Sequence, residues 1–120
     1  MIGSRRFAAW SHVGALLVSS VLIRIKRAVL AGRYAFSEKA RTEMEADGLT
    51  ELDIAESILN AVAIYKTLRS RSPSRKRPGE RLYVIQSTNL TGLAVYTKGK
   101  LVAEAGAETY YFLISSKKAL

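Results

Sequence analysis

A chain of 120 residues with 48% apolar side chains is one domain by length and has enough hydrophobic surface for a core of its own. It has no cysteine and a single histidine, His12, which excludes disulfides, thiolate nucleophiles, thiolate metal sites and any multi-histidine metal site within one chain. The formal charge of +9 is segregated: residues 1–33 carry six basic groups and no acid, residues 34–68 three bases against seven acids, and residues 69–81 six bases against one acid. Segregation of this kind favours a polyanion-binding face over an evenly soluble surface. No tight acidic cluster suggests a carboxylate metal site, so neither metal nor cofactor is expected.

Phe7 to Ile23 contains no charged residue and is flanked by Arg5-Arg6 and by Arg24, Lys26 and Arg27. This stretch meets the lower edge of the roughly 17–25 apolar residues that span a bilayer. A basic start before an apolar run is also the pattern of a signal peptide. Ser11, His12, Ser19 and Ser20 dilute its hydrophobicity, and basic residues follow it at once. Three readings stay open: a buried or peripheral helix, an extension ahead of a start near Val18 or Val21, and a membrane anchor. Residues 1–20 are accordingly set apart as an apolar extension from a single domain over residues 21–120, and a membrane is not the expected partner.

Leu22, Ile25, Val29 and Leu30 recur at helical spacing opposite Arg24, Lys26 and Arg27, and Ala31-Gly32 is expected to end that helix. Arg33 to Phe36 reads as a short extended link. Ser37 is a cap for a second helix ending at Gly48. Thr50 caps a third, with Asp53 three residues on in a capping-box position. Ile54, Ile58 and Leu59 mark its buried stripe, while Glu51, Asp53 and Glu56 are expected to face water.

Val62, Ile64, Lys66 and Leu68 share one face of a strand by the period-two rule. A lysine in phase with three aliphatic residues either snorkels at the sheet margin or lines a cleft that partly desolvates it. Arg69, Arg71, Arg75, Lys76, Arg77 and Arg81 follow, interleaved with serine, proline and glycine. That composition marks a long loop able to lie along phosphates, with a solvated charge run as the plainer reading. Strands are expected over Leu82–Gln86, Leu93–Thr97, Lys100–Ala103 and Thr109–Ser115, with turns at Asn89–Gly92 and at Gly99. Asn89-Leu90-Thr91 is a glycosylation acceptor pattern that a turn explains at least as well. Helices first, then strands with short connections, predict an α+β fold: N-terminal helices packed on a mostly antiparallel sheet of about four strands.

From about Val21 onward the chain resembles the MqsR-like branch of bacterial RelE-type toxins. It also resembles related small domains whose signature is His-Ala, then Arg-Met, before a helix. The corresponding stretch here is Lys39-Ala40, Arg41 and Met44, then Gly48-Leu49-Thr50-Glu51-Leu52-Asp53-Ile54, with lysine in place of the usual histidine. The closer MqsR-like features are Leu30-Ala31-Gly32, Ile64-Tyr65-Lys66 and Leu113-Ile114-Ser115-Ser116-Lys117. The resemblance implies a RelE-like fold, a cytoplasmic ribonuclease, and a catalytic surface of lysine, glutamine and tyrosine that works without a metal. Carried over, Lys66 matches the strand lysine and Lys117 the lysine just after the last strand, with Gln86 and Tyr96 as looser matches. A cognate antitoxin, of the zinc-binding and helix-turn-helix type, is implied as partner.

Cleavage of RNA without a metal needs a base for the 2′-OH, cations for the phosphorane-like transition state and an acid for the leaving 5′-oxygen. Lys66 is the candidate base, Tyr96 or Tyr65 a proton carrier, and Arg69, Arg71 and Lys117 candidate phosphate ligands, with arginine suited to a bidentate grip. Gln86 suits a base edge, and Tyr83 or Tyr96 a stacking platform. The expected function is that of a metal-independent endoribonuclease toxin, with a non-catalytic RNA-binding or interaction domain as the alternative.

Overall fold

The computed structural model describes residues 13–71, 80–103 and 109–120, with side chains described from Ser20 onward. Among these residues three helices, α1 (Val13–Leu30), α2 (Glu38–Ala46) and α3 (Glu51–Asn60), accompany five strands, β1 (Tyr34–Phe36), β2 (Lys66–Arg69), β3 (Arg81–Thr88), β4 (Ala94–Val102) and β5 (Tyr110–Lys118). The strand order is β1-β5-β4-β3-β2. The fold is α+β as expected, but the sheet is five-stranded and mixed. The link after α1 is itself a strand, pairing Tyr34–Phe36 in parallel with Tyr111–Leu113, while every other pairing is antiparallel.

Both expected glycine stops form. After α1 the Gly32 N–H donates to the Val29 carbonyl and the Arg33 N–H to the Ala28 carbonyl, with Gly32 at φ 77°. After α2 the Gly48 and Leu49 N–H groups donate to Glu45 and Met44, with Gly48 at φ 72°. Each is a Schellman end, satisfying carbonyls that the helix leaves open. Ser37 and Thr50 cap α2 and α3 as expected, and the Thr50–Asp53 capping box is complete. Lys26 crosses from α1 to donate to the carbonyls of Leu59 and Ala61 at the C-terminal end of α3.

The core lies between the helices and one sheet face: Leu22, Ile25 and Val29 of α1, Ala40 and Met44 of α2, and Ile54 and Ile58 of α3 meet Ile85, Val95, Tyr111 and Leu113. Leu30 and Leu59 were expected in the buried stripes but are exposed, each lying past the edge of its helix's packed arc. Val62 is also exposed, and β2 starts only at Lys66. Residues 61–64 carry the chain from the helix layer to the sheet edge, and pairing begins when the Tyr65 N–H reaches the Val84 carbonyl at 2.8 Å. Among the described residues no helix is long and apolar enough to cross a membrane. Phe7 to His12, most of the uncharged stretch's first half, lie outside them.

Two expected strands are one. β4 runs unbroken through Gly99, which is no turn residue but the floor beneath the buried Tyr111 ring. The register slips between Lys98 and Gly99, whose partners are Ser115 and Leu113, so Ile114 is an extra residue in β5. A one-residue bulge reverses which side chains face the core from that point on. Tyr111 and Leu113 point inward before it, and the buried Ser116 takes that side after it, opposite Thr97. Lys117 is thereby turned to the outer face.

Beyond β1, the free edge of β5 is covered by α2. Glu43 Oε1 accepts from the Ser115 hydroxyl (2.6 Å) and the Ser116 N–H (3.2 Å), and Asp47 Oδ2 accepts from the Lys118 N–H (2.8 Å). One helical turn-plus of about 6 Å for four residues nearly matches about 6.8 Å for two strand residues, so two carboxylates serve alternate edge amides. This blunts an edge that otherwise invites pairing with another chain. Burial pulls the Glu43 carboxyl upward, but Ser115, Lys39 and the Ser116 amide outweigh it and hold it below its ordinary 4.5. A depressed native pKa contributes stability that is present above the ordinary value and lost as pH falls through the native one. Glu43→Gln should therefore lower stability by about 1 kcal/mol at neutral pH. In urea titrations from pH 7 downward, the gap between the two proteins should shrink below about pH 4.5.

Candidate nucleic-acid interface

α1, α2 and α3 all pack toward the face that carries Ile85, Val95, Tyr111 and Leu113, and among the described residues no helix packs on the opposite sheet face. Strand register arranges that open face in rows. In the first, Gln86 of β3 pairs with Tyr96 of β4, and Tyr96 with Lys117 of β5. In the second, Lys66 of β2 pairs with Val84 of β3, and Val84 with Lys98 of β4. Lys100 and Phe112 form the next pair along β4 and β5. The face is thus built on aliphatic and aromatic floor residues with four lysines rising from it.

Gln86, Tyr96 and Lys117 line one cleft of about 360 Å³, together with Lys118, Ala119 and Leu120. The Lys117 ammonium stands 5.4 Å from the Tyr96 ring centroid, within cation–π range. Tyr96 is half-buried while Gln86 and Lys117 are exposed, so three hydrogen-bonding groups of different kind converge on solvent. The sequence pattern placed Lys117 after the last strand; it lies within β5, where the bulge sets its direction.

Lys66 is on the same face but not in that row. It is exposed on the edge strand, with its ammonium 6.0 Å from the Tyr65 ring centroid. Of its two sequence readings, the sheet-margin one describes it. Tyr83 alternates to the opposite side, where it packs against the core and its carbonyl accepts from the Tyr111 hydroxyl, so it is no stacking platform on the open face. Burial pushes the Tyr111 phenol well above its ordinary range, and that group stays neutral in the core.

The basic stretch is divided. Arg69 and Arg81 face each other directly across β2 and β3, and alternation puts them on the side opposite Lys66. Arg71 lies on the open face beside Lys98 and Lys100. Arg75, Lys76 and Arg77 lie outside the described residues. Lys98 and Lys100 were not singled out from sequence, although alternation from Tyr96 along β4 would have found them once β4 was read as one strand.

The carboxylates of α3 are not simply a water-facing row. Asp53 Oδ1 accepts from Asn89 Nδ2, and Glu56 accepts from the Leu90 N–H, tethering the β3–β4 turn to the helix. The backbone N–H of Thr50, then Asn89, hold the Asp53 carboxyl below its ordinary range. Asn89 is 4% exposed, and its side-chain oxygen accepts from the Thr91 and Leu93 amides. The turn reading of Asn89-Leu90-Thr91 therefore holds, and the glycosylation reading does not. Among the described residues no three His, Cys, Asp or Glu side chains converge on one point. Comparison of the chain with protein-family models, with curated proteins and with solved structures finds no match.

Proposed function

We propose that the open sheet face binds single-stranded RNA and cleaves it without a metal ion. The observation that supports this most is the paired row Gln86–Tyr96–Lys117, whose amide, phenol and ammonium share one cleft on the sheet face opposite the helical core. In the reaction, the 2′-oxygen forms a bond to phosphorus as its proton leaves. The bond from phosphorus to the 5′-oxygen then breaks, and that oxygen takes a proton. The products are a 2′,3′-cyclic phosphate and a 5′-hydroxyl. Tyr96 is the proton carrier nearest the row's centre, Lys117 the cation for the phosphorane-like state, and Gln86 the donor and acceptor for a base edge. Lys66, one row away and across β3, suits an adjoining phosphate better than the reacting one.

A second reading is binding without cleavage. It is favoured by one feature: the row contains neither histidine nor carboxylate, the groups that most often move protons. Under the first reading the chain is the cytoplasmic toxin of a toxin–antitoxin pair, and its partner is a zinc-binding, helix-turn-helix antitoxin. The deciding experiment incubates purified protein with mixed-sequence single-stranded RNA, chelator present and ribosomes absent. Fragments ending in 2′,3′-cyclic phosphate support cleavage. Intact RNA retained at low salt and released as salt rises supports binding alone.

A further inference from the structure

A second cleft, of about 440 Å³, opens on the same sheet face at Lys98 and Lys100. Its floor is apolar, from Phe112 and Ile114 of β5, and its rim is cationic, from Lys39 of α2, Arg71 after β2, and Lys98 and Lys100 of β4. The rim draws on three separate parts of the chain, which only the fold brings together. Lys100 is held by Glu80 at 3.2 Å and has the Phe112 ring centroid 6.0 Å from its ammonium, so it is a fixed post. Lys39 is paired with Glu43 on its own helix. Among the described residues no carboxylate engages Lys98 or Arg71. Ile114, the bulge residue, is on this floor because the register slip leaves it unmatched on β4.

Resting on the reading of the open face as an RNA-binding surface, we propose that this cleft is a nucleotide subsite. In it the base of a flanking nucleotide lies over Phe112 and Ile114, and its phosphates meet Lys98, Lys39 and Arg71. A cationic rim alone would suit any polyanion. The aromatic and aliphatic floor between the cations selects for a ligand that alternates charge with flat apolar surface, which is the chemistry of a single-stranded nucleic acid. Lys98 is two residues from Tyr96 on one side and two from Lys100 on the other, all on one face of β4. The two clefts are therefore consecutive stations along one strand direction, about 6.8 Å per station. A bound chain can occupy both, and the reacting phosphate is then held in register by the nucleotide beside it.

The test is equilibrium binding of labelled oligonucleotides by fluorescence anisotropy, using a hexanucleotide and a dinucleotide in ribo and 2′-deoxy forms. The deoxy forms cannot be cleaved, so binding is read independently of catalysis. Lys39→Gln/Lys98→Gln should weaken the hexanucleotide about tenfold and reduce the slope of log affinity against log salt by about 1.4. Dinucleotide binding should change much less. Phe112→Leu should weaken a hexanucleotide with bases but not an abasic one of equal charge. If the double variant keeps both affinity and slope, the subsite is overturned even where the wild-type protein cuts RNA. If it loses binding while the wild-type protein cuts nothing, the subsite stands and the ribonuclease reading falls. A wild-type protein that binds polyglutamate of equal charge as tightly as the hexanucleotide also overturns it, since the face would then read charge alone.

Discussion

Replacing Gly99 with alanine should destabilise the protein by about 3 kcal/mol or more, measured as a shift in urea midpoint at unchanged slope. A Cβ there would fall 2.6 Å from Tyr111 Cζ, 2.8 Å from Tyr111 Cε2 and 2.8 Å from the Phe112 carbonyl oxygen. The ring cannot give way, because Tyr111 has no exposed surface and is packed among Leu113, Val95 and the helices. The carbonyl cannot either, since it belongs to the central β4–β5 ladder. The effect is one of space: Gly99, unlike Gly32, Gly48 and Gly92, has no positive φ. Tyr111→Leu removes one of the two clashing groups, so the Gly99→Ala/Tyr111→Leu double variant should be more stable than the sum of the single losses implies. A Gly99→Ala protein of wild-type stability would show that β4 and β5 are not packed as described.

Within the ribonuclease reading, Lys117→Ala and Tyr96→Phe should each lower the cleavage rate by about 10²–10³-fold. Lys117→Ala withdraws a cation from the developing charge, and Tyr96→Phe withdraws a proton carrier while keeping the ring that the ammonium faces. Gln86→Ala should alter which sequences are cut more than how fast, as expected for a group that reads a base edge. Lys66→Ala, one row away, should act on binding, reducing the salt slope by about 0.7 with a smaller loss of rate. These side chains are half-buried or exposed, so melting temperatures should stay close to wild type, which separates lost chemistry from lost fold. Equal activity of Lys117→Ala and wild type would exclude the row as the reacting centre and leave the binding reading in force.

What the sequence by itself determined is local. Ser37, Thr50 with Asp53, Gly32 and Gly48 fixed the helix ends because capping and left-handed backbone are properties of single residues and their near neighbours. Helical periodicity found Leu22, Ile25, Ile54 and Ile58, and helices followed by strands indicated an α+β fold. Leu30 and Leu59 escaped the same reasoning because their exposure depends on how wide an arc each helix packs.

Tertiary structure decided the sheet and the candidate site. Gly99 looks like a turn when only its neighbours are considered, and becomes a strand residue because the Tyr111 ring, twelve residues further along the chain, needs the space of its missing side chain. The link at Tyr34–Phe36 is a strand only because β5 offers it an edge. Simple alternation along β5 would send Lys117 to the same side as Tyr111 and Leu113, into the core. One unmatched residue, Ile114, turns it outward beside Tyr96. Register across strands is set by long-range pairing, and no local rule reports it; the row of Gln86, Tyr96 and Lys117 exists for that reason alone.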